Sequence, residues 1–163
     1  MIQPENSSSP GKVTYPINLL LTGRQCLVVG GGSVACRKIS GLLDAGALVT
    51  VVAIRLDPEL LSLAGEHKLE FRQRFYQASD LESMTLVFAA TDDPEINAAI
   101  LADCQEKRIL CCVVDHQWPA GDFITPASFR HEGVTVSVST GGSSCKEAKL
   151  VREILEKQLK NLG

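Results

Sequence analysis

The sequence has few of the features that mark a membrane or secreted protein. Among its 163 residues, no apolar run approaches the roughly 20 residues that a membrane helix requires. The opening segment, MIQPENSSSPGK, has no apolar core of the kind that a secretory signal carries. Its polar composition is typical of a disordered arm, which we place at residues 1–14. We therefore expect a cytoplasmic protein that makes no membrane contact.

Metal-site spacings and the common catalytic motifs are also missing. No GxSxG, P-loop or HExxH motif occurs, which excludes the commonest hydrolase, kinase and metalloprotease patterns. The six cysteines form no CxxC pair, and the neighbours Cys111 and Cys112 would point to opposite faces of a strand. The three histidines are scattered, and only His116 is near the candidate site described below. We predict reduced, buried thiols and no metal site.

The chain has no excess of positive charge. Its net charge is −3, which is unlike that of a general nucleic-acid-binding protein, so we expect no nucleic-acid partner. Residues 130–163 differ from the rest, with six basic side chains against four acidic ones. A basic segment of this kind suits an anionic small molecule, although solvated helix charges explain it equally well.

The sequence does contain short apolar runs that alternate with helical stretches. The apolar runs are too short for helices and predict strands at residues 25–30, 48–53, 85–91 and 109–115, and the mixed segment 69–73 looks like a further strand. The stretches between them predict helices at residues 33–45, 58–65 and 94–107. Strands that are apolar on both sides and separated by helices indicate an α/β fold, with a Rossmann-like parallel sheet covered by helices on both faces.

The pattern changes after the fifth predicted strand. Residues 123–129 and 134–140 alternate in polarity and predict an antiparallel hairpin. A helix follows from about Cys145, and one of its stripes is apolar: Val151, Ile154, Leu155, Leu159 and Leu162. We predict a Rossmann domain over residues 15–116 and a hairpin-and-helix extension over residues 117–163, which would serve the substrate site and dimerisation.

A glycine-rich turn follows the first predicted strand and has the G-x-G-x-x-G/A form. The first glycine of this motif permits a tight turn, the second lets the backbone approach a pyrophosphate, and a small third residue lets helix and strand pack closely. The helix that begins here offers free N–H groups and its positive end to phosphates. The candidate cofactor-binding residues are Gly30, Gly31, Gly32, Ser33, Val34 and Ala35.

One element of an NAD site is missing. An Asp or Glu is expected at the end of the second strand, where it would bind the adenosine ribose. The chain has Arg55 there, and the first acid is Asp57. Arg55 could meet a 2′-phosphate, so the residues alone leave NADP open.

Ligands of a parallel sheet bind beyond the carboxyl ends of its strands. Asp115 closes an entirely apolar strand there, and partial burial favours a role as general base. A turn or capping role explains Asp115 at least as well from spacing alone. Asp92 and Asp93 follow the fourth strand, and we interpret them as helix caps rather than catalytic groups.

A second polar cluster leads into the last helix. Its glycines and hydroxyls would form an anion-binding nest, with Lys146 close by. An ordinary helix cap by Ser143 or Ser144 explains the same residues equally well. The candidate anion-binding residues are Thr140, Gly141, Gly142, Ser143 and Lys146.

From Tyr15 to about Lys157 the chain resembles the precorrin-2 dehydrogenases of siroheme biosynthesis, including the N-terminal part of siroheme synthases. The matching segments are YPINLLLTGRQCLVVGGGSVACRK, AGALVTVVA, FAATDDPEIN, CVVD, DFITPASF and VSVSTGGSSCKEAKLVRE. The combination of GGGxVAxRK, AATDD and VVD is far more specific than any one of these segments.

The resemblance implies an NAD-dependent oxidation of precorrin-2 to sirohydrochlorin. By this resemblance, Asp115 matches the family's catalytic aspartate, and Thr91 and Asp92 match its cofactor site. The candidate anion-binding residues before the last helix would suit a substrate with eight carboxylates. Relatives share the lack of a ribose-binding acid, which favours NAD over NADP. The resemblance also implies a homodimer.

Two alternatives remain at this level. In several relatives the same aspartate supports iron insertion, so the chain could also, or instead, be a sirohydrochlorin chelatase. It could also be a regulatory module that senses NAD(H) without chemistry. Because the chain stops at Gly163, we expect a stand-alone dehydrogenase that works beside a separate chelatase and methyltransferase.

Overall fold

The computed structural model describes residues 12–115 and 118–161. Residues 1–11 of the predicted arm, His116 and Leu162 lie outside the described residues. The chain divides into two compact units, one formed by Asn18–Phe123 and the other by the segments on either side of it. No helix among the described residues is long and apolar enough to cross a bilayer.

The larger unit is built on a five-stranded parallel sheet. Its strands are β1 (Gln25–Val29), β2 (Leu48–Ala53), β3 (Glu70–Gln73), β4 (Leu86–Ala89) and β5 (Leu110–Val113), in the spatial order β3-β2-β1-β4-β5. Every residue of β4 is buried, and β1, β2 and β5 each expose only their first residue. Burial on both faces confirms the predicted α/β sheet and explains why these strands read as continuous apolar runs.

Three helices cover the two faces of this sheet. They are α1 (Ser33–Asp44), α2 (Pro58–Gly65) and α3 (Pro94–Lys107). One apolar core joins α1 and α2 to the sheet through residues such as Ile39 and Leu60, and the other joins α3 through Ile100. The prediction of helices on both faces is therefore confirmed.

The cysteines behave largely as small apolar residues. All six are free thiols, and five of them are buried, but Cys145 is exposed, so the prediction of burial is wrong for that residue. Cys111 packs in the core that contains α3 and Cys112 packs in the core on the opposite face, as predicted. Burial raises the pKa of the Cys112 thiol to about 11, so it stays protonated at neutral pH.

The smaller unit consists of a hairpin and a helix. Strands β6 (Ala127–His131) and β7 (Val134–Val138) pair antiparallel, and α4 (Cys145–Lys160) packs against both. The connecting residues Glu132 and Gly133 both have positive φ, 46° and 83°, which is typical of a tight two-residue hairpin turn. The turn is therefore shorter than the four-residue connection predicted from the sequence.

A buried carboxylate anchors the segment that follows β3. The Asp80 side chain is 1% exposed and lies in a short 3₁₀ turn, Ala78–Leu81, which the sequence analysis did not predict. It accepts hydrogen bonds from Arg72 Nη1 at 3.0 Å, from Arg74 Nη1 at 2.7 Å and from the Gln77 N–H at 3.0 Å. Burial acts to raise the pKa of Asp80, but these hydrogen bonds outweigh it and hold the pKa below its ordinary value.

Substituting Asp80 tests whether this anchor stabilises the fold. Asp80→Ala leaves two arginines without their buried partner, and we expect it to lower the free energy of unfolding by about 3 kcal/mol. Because the folded-state pKa is depressed, this contribution is present above the unfolded-state value of about 3.9 and is lost as pH falls through the folded-state value. The difference in unfolding free energy between wild type and Asp80→Asn, measured by denaturant titration, should therefore shrink on acidification.

The exposed Glu82 provides the matched control for this measurement. Glu82→Gln should change the unfolding free energy by no more than about 0.5 kcal/mol. A wild-type protein and an Asp80→Asn variant that lose stability in parallel between neutral and acid pH would contradict the assignment.

Candidate functional site

A cleft of about 690 Å³ opens at the carboxyl ends of the strands. Strand β1 lies between β2 and β4, so the chain crosses from one half of the sheet to the other at this point. Dinucleotides bind open α/β sheets at such a crossing. The cleft is lined by the glycine turn, by the residues that follow β2 and β3, and by those that follow β4.

The first two glycines of the turn are required by the protein's own packing. Gly30 has φ +120°, and a Cβ built on it would lie 2.1 Å from the Ala90 carbonyl oxygen. A Cβ on Gly31 would lie 2.1 Å from the Arg55 carbonyl oxygen. The turn is therefore held tightly against the ends of both neighbouring strands, β2 and β4.

The third glycine has a different environment. A Cβ on Gly32 would meet nothing within 4 Å, and Gly32 lines the cleft. The fold itself therefore does not require glycine here, and the open space would let a pyrophosphate approach the backbone.

The first turn of α1 differs from those of the other helices in its capping. Its N-cap residue is Gly32, and no side chain caps the helix, whereas Asp57, Asp93 and Ser144 cap α2, α3 and α4. The N–H groups in the turn formed by Ser33, Val34 and Ala35 thus point to a site without a protein acceptor, where a phosphate would be stabilised. Ala35 is fully buried against the sheet, which is the packing role of the motif's small third residue. The residues present therefore fit a dinucleotide phosphate.

The β2–β3 half of the cleft carries both charge and an aromatic side chain. The Asp57 carboxylate caps α2 by accepting from the Glu59 N–H at 3.1 Å, and Arg55 is exposed beside it. Phe75 lines the same half and is 72% exposed. Its carbonyl oxygen accepts a 3.0 Å hydrogen bond from Arg74, the same guanidinium that binds Asp80. Phe75 was not predicted as a cleft residue, because a single aromatic residue after a strand has no distinctive pattern.

The β4–β5 half contains the polar residues predicted after β4. Thr91 and Asp92 line the cleft. Asp93 is the N-cap of α3, accepting from the N–H groups of Glu95 and Ile96, as predicted. The same prediction is wrong for Asp92, because only one residue can occupy the N-cap position and the chain places Asp93 there.

Asp115 is half-buried just beyond β5 and is connected to Thr91 through one side chain. Asn97 Nδ2 donates to Asp115 Oδ2 at 2.7 Å and to the Thr91 carbonyl oxygen at 3.0 Å. The amide oxygen of Asn97 accepts from the Thr91 N–H at 3.1 Å. Asn97 was not predicted as a site residue. It begins the buried stripe of α3, where a polar residue among apolar ones is itself a signal: Asn97, Ile100, Leu101 and Cys104.

The polar cluster before α4 belongs to the smaller unit. Ser144 caps α4, and within the cluster the N–H groups of Gly141 and Ser144 donate to the side chains of Ser139 and Thr140. The Ser143 hydroxyl donates to the Thr140 carbonyl oxygen at 2.8 Å. Lys146 is exposed in the first turn of α4. The cluster is thus a defined turn with a basic side chain beside it.

A glycine turn on an uncapped helix, placed where the chain crosses a parallel sheet, defines a Rossmann-type dinucleotide-binding protein. The family model described as "Putative NAD(P)-binding" matches residues 17–127. The chain belongs to this family.

Several siroheme synthases are similar to the chain in sequence. It is 43% identical over 142 residues to a siroheme synthase of Thioalkalivibrio sulfidiphilus, which covers 87% of this chain and 29% of that protein. It is 44% identical over 142 residues to a siroheme synthase of Chromobacterium violaceum, with 87% of this chain and 30% of that protein covered. The chain therefore spans less than a third of the length of these relatives.

A solved structure of SirC, precorrin-2 dehydrogenase, has a similar fold. It superposes with a TM-score of 0.76 at 29% identity, covering 89% of this chain and 71% of that one. The resemblance described from the sequence motifs is therefore confirmed by independent comparisons.

The glycines provide a test that separates folding from binding. Gly31→Ala places a methyl group against the Arg55 carbonyl and should lower the unfolding free energy by about 1–3 kcal/mol. Gly32→Ala should leave that free energy within about 0.5 kcal/mol of wild type. It should nevertheless weaken NADH binding by about tenfold, because a methyl group would displace one charge-assisted hydrogen bond. Denaturant titration and NADH fluorescence titration measure the two effects.

In this pair each variant is the control for the other. Tight NADH binding by Gly32→Ala would show that the pyrophosphate lies elsewhere. An undiminished stability of Gly31→Ala would show that the turn is looser than described.

Proposed function

We propose that this chain is an NAD-dependent dehydrogenase that oxidises precorrin-2 to sirohydrochlorin, with Asp115 as the general base. The observation that carries the proposal is the link between Asp115 and the cleft: one buried amide joins its carboxylate to Thr91, which lines the dinucleotide site. The similarity to SirC, precorrin-2 dehydrogenase, supports the choice of substrate.

The reaction removes a hydride and a proton from the substrate. The nicotinamide of NAD, when bound, accepts the hydride with its two electrons. The Asp115 carboxylate accepts the proton, which keeps positive charge from building up on the substrate as the hydride leaves. Gly30, Gly31 and the α1 N-terminus would hold the pyrophosphate, and Thr91 and Asp92 would hold the nicotinamide half, at the same edge of the sheet as Asp115.

The smaller unit is proposed to bind the substrate's carboxylates. Its residues Thr140, Gly141, Gly142, Ser143 and Lys146 form a turn at the N-terminus of α4, where the helix dipole favours anions. The segment 130–163 also has more basic than acidic side chains. A substrate with eight carboxylates would gain charge-assisted hydrogen bonds from such a segment.

Replacing the proposed base tests the reaction directly. Asp115→Ala should bind NADH as tightly as wild type, because Asp115 lies outside the residues that line the cleft. Its rate of precorrin-2 oxidation should fall by about 10²–10⁴-fold, the usual contribution of a general base. NADH formation followed anaerobically by absorbance, with NAD and NADP compared, measures the rate and the preferred cofactor.

Asp44→Asn, which alters an exposed carboxylate at the end of α1, is the control and should retain the wild-type rate. Normal turnover by Asp115→Ala would exclude the base. A wild-type protein that binds NADH but leaves precorrin-2 unchanged would instead be a sensor, and one that consumes sirohydrochlorin with Fe²⁺ or Co²⁺ but needs no NAD would be a chelatase.

The same resemblance leads us to propose a homodimer formed through α4. Four apolar side chains of this helix are 38–56% exposed in the single chain: Leu150, Val151, Ile154 and Leu155. Their spacing places them on one stripe of the helix, beside the stripe that packs on the hairpin. A self-complementary stripe is the simplest way for two identical chains to cover each other's apolar surface.

Light scattering tests this interface. Ile154→Glu puts a charge in the centre of the stripe and should convert a dimer to a monomer, because an unpaired charge is costly to bury. Lys149→Glu, at an exposed position on the other side of α4, should leave the mass unchanged. A wild-type protein with the mass of one chain would refute the dimer.

A further inference from the structure

Asn97 stands out because it is a fully buried polar side chain that contacts both Thr91, which lines the cleft, and Asp115, the proposed base. Its exposed fraction is 0%, and it lies in the first turn of α3, between the end of β4 and the end of β5. Burying an amide without partners would cost several kcal/mol. This amide is instead completely satisfied by two residues, Thr91 and Asp115.

The orientation of the amide follows from its neighbours. Oδ1 accepts from the Thr91 N–H at 3.1 Å and from the Thr91 hydroxyl at 2.7 Å. Because a backbone N–H can only donate, the amide oxygen must face the Thr91 N–H, and the NH₂ group must lie on the opposite side of the amide. There it donates to the Thr91 carbonyl oxygen at 3.0 Å and to Asp115 Oδ2 at 2.7 Å.

All the hydrogen-bonding capacity of this amide is therefore used. Two lone pairs and two N–H groups have four partners, three of them on Thr91 and one on Asp115. A Gln at this position would be one methylene too long for the buried space, and an Asp would present an acceptor where Asp115 requires a donor. Asparagine thus matches both the size and the polarity of the site.

We propose that Asn97 is a positioning residue, which orients the Asp115 carboxylate and ties it to the turn that holds the nicotinamide half of the cofactor. This inference rests on the proposed function, in which Asp115 is the base. Holding Oδ2 limits rotation of the carboxylate, and holding Thr91 with the same amide keeps base and cofactor in one geometry. A misplacement of about 1 Å between reacting groups can cost about 10²-fold in rate.

A merely structural role predicts a different behaviour. If Asn97 served only to satisfy the backbone of the β4–α3 turn, any substitution would reduce stability, cofactor binding and turnover together. Asn97→Asp tests the two roles, because its Oδ1 still accepts from the Thr91 N–H and hydroxyl, while the donor to the Thr91 carbonyl oxygen is lost together with the donor to Asp115. Its second oxygen, however, faces the Asp115 carboxylate, so that a repulsion replaces a hydrogen bond.

The test compares wild type, Asn97→Asp and Asn18→Asp. The last makes the same exchange at an exposed position of the same unit and should match wild type throughout. For Asn97→Asp we expect kcat for precorrin-2 oxidation to fall by about 10²-fold, while the Kd for NADH, measured by fluorescence titration, stays close to the wild-type value.

A second measurement tests the contact without any substrate. The exchanged variant Asn97→Asp/Asp115→Asn restores one amide facing one carboxylate, so it should recover the thermal stability that Asn97→Asp loses. If Asn97→Asp alone does not fold, Asn97→Ser deletes the donor without adding a charge. It should show the same loss of kcat, larger than any change in the Kd for NADH.

The outcomes are distinguishable. A wild-type rate in Asn97→Asp overturns the positioning role and leaves the proposed function standing. A parallel loss of kcat, NADH affinity and thermal stability assigns Asn97 to structure alone and also overturns it. A wild-type protein that oxidises no precorrin-2 with either cofactor overturns the proposed function itself, and the catalytic role of Asn97 with it.

Discussion

Burial of both faces of the parallel sheet is the constraint on which the rest of the larger unit depends. A sheet covered on both sides leaves only its strand ends for polar chemistry, so the ligand-facing groups are forced to one edge. At that edge the glycine turn lies so close to its neighbours that a single Cβ on Gly30 would collide with the end of β4. The same packing that stabilises the core therefore shapes the cleft.

Two buried polar side chains organise the two halves of this cleft. Asp80 binds Arg74, whose guanidinium also holds the Phe75 carbonyl on the β3 side. Asn97 joins Thr91 to Asp115 on the β4–β5 side. Each sits among apolar residues, where an unsatisfied group would be costly, so each has a well-defined set of partners. The lining of the cleft is thus held rigidly by groups that do not themselves line it.

Much of the fold was predictable because its signals are local. Short apolar runs located β1, β2, β4 and β5 to within a few residues, and Asp93 followed by Pro94 marked the start of α3. The glycine turn was recognisable because the three small residues of its motif, Gly30, Gly32 and Ala35, have a fixed spacing that backbone geometry and close packing require. Asp92 was misassigned as a second cap, although Pro94, a residue favoured at the first helical position, already places the N-cap at Asp93.

By itself, the sequence determined the order of strands and helices, the glycine turn and the position of an acid at the end of the fifth strand. These follow from periodicity, glycine spacing and the burial of continuous apolar runs, which all act over a few residues. Only the tertiary structure decided that β4 lies beside β1, and that Asn97 reaches both Thr91 and Asp115. The Asn97–Asp115 contact joins residues 18 positions apart, and the β1–β4 pairing joins residues as distant in sequence as Cys26 and Leu86, because strand pairing and helix packing bring together groups that no local pattern relates.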